Sequence, residues 1–336
     1  MTAIDVHAHV IVPELLRSSA LGESWRPRVV RDDGAQLVEL GGARIRSMVS
    51  EVVDVEEIVA SQDRAGVGIT LLCPWVQLLF YDVDVDAALE RCRLQNSGLA
   101  RLHAGRPDRV RVLGAVPLQD PELAASELEQ VMATAGFAGV EVATSVDGVP
   151  LGDARFEPFW SAAERTGALV FIHPTTRGVA LPVLQERYLW NLVGNPMETT
   201  VAAAHLVLTG TLARHPNLRI LLAHGGGAIL ALSGRLRHGQ ATVAAAGPAP
   251  AVAADAEIRR RFLYDSVVHD PQLLRMLVQV VGSERVLLGS DYPFDMADSD
   301  PVGTVRAAGL SEGDEHALLC GNATRELGLS TTNGRG

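Results

Sequence analysis

The sequence predicts a (β/α)8 barrel, and three observations carry that prediction. Eight short apolar runs recur along the 336 residues. They alternate with longer segments whose apolar residues fall three or four apart, the helical period. Most of the runs are rich in Val, Ile and Leu without polar alternation, which marks strands buried on both faces. Eight such strands with intervening helices, over about 250 residues or slightly more, form the (β/α)8 pattern. An open doubly wound sheet would carry a Gly-rich turn after its first strand. Here the first run leads into His7-Ala8-His9 instead.

In chain order the predicted strands cover residues 3–6, 69–73, 110–116, 139–142, 168–172, 218–223, 262–264 and 286–288. The predicted helices cover 55–65, 87–104, 123–135, 156–166, 198–214, 229–237 and 271–281. Asp54 is placed to cap the first helix, with Glu57 at the capping-box position and Gly66 as its stop. Asp120-Pro121 opens the third helix, with proline in the favoured first turn. Residues 11–53 are too long for a structureless loop. They read as an insertion of a few short strands folded over the top of the barrel. Residues 243–255 read as a low-complexity surface connection, and 331–336 as a frayed end. No repeat of solenoid period is present. The expectation is one catalytic barrel domain over 1–336, with an insertion subdomain at about 11–53.

Composition narrows the function. The chain is 47% apolar and 21% charged, as soluble globular proteins are. No apolar run reaches the ~18–20 residues of a membrane span, and the N-terminus reads as no secretory leader. The net charge is −11, without the basic face of a nucleic-acid binder. Arg259-Arg260-Arg261 reads as the solvated end of a helix. Cys73, Cys92 and Cys320 are too scattered for a disulfide framework or a thiolate zinc site. A reducing cytoplasm is the simplest location. All 29 basic residues are arginine. That excludes a lysine Schiff base and a carbamylated lysine bridging two metals. A metal centre must therefore come from His, Asp, Glu or Cys.

The strand ends carry such groups. The first strand runs into His7-Ala8-His9, the fifth into His173, the sixth into His224 and the eighth into Asp291. Residues two apart on a strand share a side, so His7 and His9 can aim at one point. In a barrel the C-terminal strand ends converge on one mouth, where active sites of this fold lie. Imidazole and carboxylate suit zinc and related divalent ions. His103, His205, His215, His238, His269 and His316 fall in helices or loops and read as structural or surface groups.

Six motifs then resemble a known family. They are Asp5-Val6-His7-Ala8-His9, Val116-Pro117-Leu118-Gln119-Asp120, Ile172-His173-Pro174, His224-Gly225-Gly226-Gly227, Gly289-Ser290-Asp291-Tyr292-Pro293-Phe294 and Gly321-Asn322-Ala323. The resemblance is to the amidohydrolase superfamily, in the branch called amidohydrolase family 2. It implies a metal-dependent, non-oxidative decarboxylase of a small unsaturated or aromatic carboxylic acid, of the 2-amino-3-carboxymuconate-6-semialdehyde kind. It implies one divalent ion per chain, zinc first and manganese second, with no organic cofactor. His7, His9, His173 and Asp291 match the ligands. His224 matches the catalytic histidine, the base for a metal-activated water, with Asp291 beside it. Arg46 matches an arginine that binds a substrate carboxylate, with Arg44 as the alternative if the register slips. Arg235 matches one supplied to the neighbouring subunit's site, which implies a homodimer. Guanidinium suits this role because it grips a carboxylate with two parallel hydrogen bonds. Trp190 and Phe294 are candidate pocket walls.

The resemblance has departures. After His173 the chain continues Pro174-Thr175-Thr176-Arg177, where the decarboxylase pattern has Pro-Trp. Arg177 reads as a solvated loop residue. The same metal set also serves a hydrolase or hydratase, and that is the alternative activity. A barrel kept only for binding would be expected to have lost a ligand, and none is missing.

Overall fold

The computed structural model describes residues 2–16, 23–32, 35–41, 43–45, 52–175, 178–179, 181–246 and 252–329. Its elements begin with β1 (Ala3–Val10), β2 (Arg28–Asp32), β3 (Ala35–Leu40), β4 (Ala43–Ile45), α1 (Val55–Arg64), β5 (Val67–Pro74), α2 (Val85–Gly105) and β6 (Val110–Gly114). Next come α3 (Pro121–Met132), β7 (Phe137–Ala143), β8 (Ser145–Val146), β9 (Val149–Pro150), α4 (Glu157–Thr166) and β10 (Leu169–His173). Then follow α5 (Asn195–Leu208), α6 (Thr211–Arg214), β11 (Arg219–Leu222), α7 (Ile229–Thr242), α8 (Ala254–Arg261) and β12 (Phe262–Asp265). The chain closes with α9 (Pro271–Val281), β13 (Val286–Leu287), α10 (Pro301–Ala307), α11 (Glu312–His316) and α12 (Asn322–Glu326).

All eight predicted barrel strands form. They lie in the order β1-β5-β6-β7-β10-β11-β12-β13, parallel throughout. The segment after β13 returns to β1: the Val6 amide donates to Leu288, Asp291 to His7 and His9 to Tyr292, at 2.9, 2.8 and 2.7 Å. These bonds bring the last strand beside the first and nearly close the barrel.

Two-sided burial explains the apolar runs. Ile4, Val6, Leu71, Leu113, Leu169, Phe171, Leu221, Leu263 and Leu287 pack inside the barrel. Their neighbours Val140, Val142, Val170, Ile172, Ile220, Leu222, Tyr264 and Leu288 pack outward against the helices. A leucine or phenylalanine buried this way contributes about 1.5–3 kcal/mol.

Helix ends follow the sequence signals. The Asp54 carboxylate accepts from the Glu56 amide at 3.0 Å, and Asp120 from Leu123 at 3.0 Å. Gly66, just beyond α1, takes φ +75°. Three expectations need correction. The predicted helix 198–214 is two helices, because Gly210 turns left-handed at φ +74° and ends the first. The predicted helix 229–237 continues to Thr242, since the one glycine beyond 237, Gly239, costs a helix only about 1 kcal/mol and no proline precedes Thr242 to end it. The connection at 243–255 gives way to α8 from Ala254, which does end on Arg259, Arg260 and Arg261. The helices after β13 lie beyond the last element predicted from the sequence.

The insertion holds the antiparallel sheet β2-β3-β4. Val38 packs into a buried cluster with Val10, Ile11, Leu15 and Trp75. Trp25 meets Phe80 edge-on at 5.8 Å, with the Arg26 and Arg91 guanidiniums 4.4 and 4.2 Å from its ring. Such cation–π contacts tie the insertion to α2. Cys73, Cys92 and Cys320 are free and buried. Among the described residues no helix is long and apolar enough to cross a membrane.

Candidate active site

Strand parity delivers the site residues. On β10 the inward residues Leu169 and Phe171 are followed at the same parity by His173. On β1 the register against β5 slips between Asp5 and Ala8. Val6 lies with the interior cluster and Ala8 with the outer one, so the slip leaves His7 and His9 on the inner side. A strand irregularity that re-aims side chains beside a site is a recurrent device. Asp291 and His224 follow β13 and β11, and both take left-handed backbone, φ +60° and +56°. Strained non-glycine positions cluster at functional sites. After His224 the chain passes close under its neighbours, and a Cβ on Gly227 would lie 2.1 Å from the Pro196 carbonyl oxygen. Only glycine fits there.

His7, His9, His173 and Asp291 each bring one ligating atom, all within 4.8 Å of one another and all buried. The Nε2 atoms of His7 and His9 face each other at 3.1 Å, and Asp291 Oδ1 lies 3.2 and 3.4 Å from them. Ligand atoms around a tetrahedral ion, at about 2.0–2.1 Å each, stand roughly 3.3 Å apart. His173 Nε2 and Asp291 Oδ1 have no hydrogen-bond partner among the described residues. Buried polar atoms left so are costly unless something else satisfies them. Three imidazoles and one carboxylate therefore fit a single divalent ion.

The electrostatics suit ligation at His9, His173 and Asp291, while His7 is held in the charged form by the carboxylates around it. Burial, with His9, His7 and His224 nearby, holds His173 well below the usual histidine range, in the neutral form that ligates. Burial likewise lowers His9. Burial opposes ionisation of Asp291, yet His7 and the hydrogen bond from His224 keep its carboxyl well below the ordinary range. Burial also opposes charge on His7, but Asp291 and Asp265 outweigh it and raise the group to about 10.

Supporting groups orient the ligands. The second nitrogen of His7 lies 2.6 Å from Asp265 Oδ2, and that of His9 lies 2.9 Å from the Pro74 carbonyl. Asp265 also accepts from the His224 and Gly225 amides at 2.9 and 2.7 Å. Asp5 accepts from the Ser290 hydroxyl at 2.5 Å and Gln62 at 3.0 Å, fixing the approach to Asp291. Glu141 on β7 is fully buried, and neither oxygen has a hydrogen-bond partner among the described residues. It lies 4.0 Å from His9 Nδ1 and 3.9 Å from His173 Nδ1, and burial pushes its carboxyl well above the ordinary range. Sequence reading missed Asp265 and Glu141. Extending the inward parity of Leu263 and Gly139 by two residues would have found both.

His224 Nε2 lies 3.4 Å from Asp291 Oδ2. Above the cluster opens a cavity of about 100 Å³, with His173, His224 and Asp291 in its floor and Trp75, Tyr188, Trp190 and Phe294 in its walls. A second lobe of about 250 Å³ shares Asn191, Asn195, His224, Asp291 and Met296, and His269 and Leu273 line its far side. The expected walls Trp190 and Phe294 are thus in place, Phe294 being 5.0 Å from the His9 ring. His269, read as structural or surface, lies at this second lobe because the turn after β12 folds back at φ +56°. Arg235 is exposed on α7 and lines neither lobe of its own chain. Arg46 and Arg177 lie outside the described residues. Arg44 stands on β4 opposite Glu39 in register.

A family pattern described as amidohydrolase matches residues 4–329. The chain belongs to the amidohydrolase family. It is 30% identical to a 2-amino-3-carboxymuconate-6-semialdehyde decarboxylase of Dictyostelium discoideum, over 97% of this chain and 91% of that protein. It is 32% identical to a gamma-resorcylate decarboxylase of Rhodococcus jostii, over 93% and 94%. The solved dihydroxybenzoic acid decarboxylase of Polaromonas, with bound manganese and the inhibitor 2-nitroresorcinol, superposes with a TM-score of 0.80 at 24% identity, over 98% of this chain and 97% of that one. The family and the barrel expected from the motifs are both present.

Proposed function

We propose that this amidohydrolase is a metal-dependent, non-oxidative decarboxylase of a small unsaturated or aromatic carboxylic acid. The observation that carries this reading is the convergence of His7, His9, His173 and Asp291 on the floor of an aromatic-walled cavity. The decarboxylase relatives support it. The whole chain acts as one catalytic unit, with 11–53 as its insertion.

His7, His9, His173 and Asp291 would hold one divalent ion, with Asp265 and the Pro74 carbonyl fixing the two ring orientations behind it. Zinc is the expected ion. Manganese is the alternative, supported by its presence in the Polaromonas enzyme. When bound, such an ion polarises a substrate oxygen and offsets negative charge as CO2 departs. His224 holds and moves a proton at Nε2, steadied by Asp291 Oδ2. Trp190 and Phe294 flank the substrate and keep water from the bond that breaks. The conjugated acid accepts the electrons of that bond itself, so no organic cofactor is needed. Arg46 binds a substrate carboxylate. Arg235, exposed and outside its own cavity, reaches the site of a second copy in a homodimer. The enzyme works in the cytoplasm.

The test is elemental analysis of the purified protein, followed by CO2 release from muconate semialdehydes and hydroxybenzoates with and without chelator. About one metal per chain and chelator-sensitive CO2 release are expected. One metal with no CO2 from any acid would replace this reading with hydrolysis or hydration.

A further inference from the structure

Asn195 is a polar side chain at the junction of the two lobes that the chemistry above leaves unused. It is only 5% exposed and lines both lobes beside His224 and Asp291. Its Oδ1 is shut away, without a hydrogen-bond partner among the described residues. The end of the amide that reaches the cavity is therefore the Nδ2 donor, and among the described residues no acceptor takes a hydrogen bond from it.

The backbone holds that donor in place. Residues Trp190–Gly194 form a single π-helical turn, closed by the Asn195 amide donating to the Trp190 carbonyl. In an uninterrupted α-helix residues 190 and 195 would lie about 140° apart around the axis. The wider turn hydrogen-bonds them directly and brings Trp190, Asn191 and Asn195 to the cavity together. Pro196 accounts for the turn locally. It has no N–H, and in α-register its ring would clash with the Leu192 carbonyl, so the turn before it opens. Further along, Glu198 is buried and accepts from Thr144 Oγ1 at 3.0 Å, the Thr175 amide at 2.7 Å and the Gly178 amide at 2.6 Å. That anchor fixes the start of α5, and with it Asn195.

The second lobe is otherwise largely apolar, walled by Leu192, Val267, Val268, Leu273 and Met296. An amide N–H2 is a dipole without net charge. An uncharged acceptor oxygen satisfies it without bringing an unpaired charge into apolar surroundings. We propose that Asn195 selects the substrate by donating a hydrogen bond from Nδ2 to a carbonyl or ether oxygen on a substituent of the acid, seated in the second lobe. The inference rests on the reading of this cavity as the site of an unsaturated or aromatic acid. A fixed donor with no acceptor of its own penalises the analogue that lacks the oxygen.

The test is calorimetric titration of the manganese-loaded full chain with isosteric pairs of benzoates. The 2-, 3- and 4-methoxy acids are set against the ethyl acids, and the formyl acids against the vinyl acids. Each pair exchanges an acceptor oxygen for carbon at nearly constant shape. At least one oxygen-bearing acid should bind about tenfold more tightly than its carbon counterpart. Asn195→Ala should reduce that preference to within about twofold, with metal content and affinity for the carbon counterpart kept. Asn195→Asp keeps the shape but removes the donor, and should abolish the preference as well, which covers the case in which the alanine variant does not fold. No preference in the wild type, or a preference that survives in either variant, overturns the proposal. CO2 release from these acids, and from the muconate semialdehydes and hydroxybenzoates, is scored separately. A preference that depends on Asn195 without CO2 from any acid would sink the decarboxylase reading alone. CO2 release without that preference would sink the role of Asn195 alone.

Discussion

Two histidine–carboxylate clusters in this protein use the same residue types to opposite ends. At the strand ends, His7, His9, His173 and Asp291 are buried together, and the ligating atoms of His173 and Asp291 have no hydrogen-bond partner among the described residues. On the outer helices, His215 meets Glu164 at 3.2 Å through one ring nitrogen and Glu157 at 2.7 Å through the other, and Arg214 closes on Glu157 at 3.2 Å. Both ring nitrogens of His215 are engaged, and the charges around it reach solvent. The first cluster stores unmet bonding capacity in a buried space, which favours a ligand. The second has met its capacity and can only staple α4 to the turn before β11. Residue type does not distinguish a site from a staple; unsatisfied atoms do.

The largest effect that would break this contrast comes from removing a ligand. Asp291→Ala or His173→Ala should lower metal content well below one per chain and reduce kcat/KM roughly a thousandfold or more, with circular dichroism unchanged. Retained metal in both variants would show that the cluster is a staple too. Next, His224→Ala should keep its metal and lose about 10²- to 10⁴-fold in kcat. Loss of metal in that variant would make His224 a ligand.

A smaller effect is expected from Asp265→Asn. It keeps the shape behind His7 but weakens the charge that orients the ring, and should cost about 10- to 100-fold in metal affinity, read by competition with a chromogenic chelator. The smallest effect belongs to the outer cluster. Burial opposes ionisation of Glu157, but Arg214 and His215 together outweigh it and hold its carboxyl below the usual 4.5. The Asn217 amide and His215 do the same for Glu164. Groups lowered on folding stabilise above about pH 4.5 and lose that contribution as pH falls through their folded values. Glu157→Gln should therefore lower Tm by only about 1–2 °C at neutral pH, leave CO2 release unchanged, and match the wild type in acid. A persistent Tm gap in acid would assign the staple to packing rather than charge.

The sequence by itself determined the barrel and picked out His7, His9, His173 and Asp291, whose potential ligating atoms converge, with His224 beside them. Period and apolar runs report local backbone geometry, and strand ends in this fold converge wherever they fall in the chain. The motifs also held the family, which the match over residues 4–329 bears out. Element ends were read less well: the strand predicted over 262–264 stopped one residue before Asp265, and Glu141, inside the strand predicted over 139–142, was passed over as a strand-interior residue. The insertion was legible as short strands because its length demanded structure.

Only the tertiary structure decided the rest. The register slip on β1 and the left-handed turns at His224 and Asp291 are set by packing between segments far apart in sequence. No propensity at those residues announces them. Which histidines are partnered was settled in the same way, because partners such as Asp265 for His7 and Glu157 for His215 come from distant strands and helices. Local sequence chooses the groups that meet at the mouth; the folded chain decides which of their atoms stay open to a ligand.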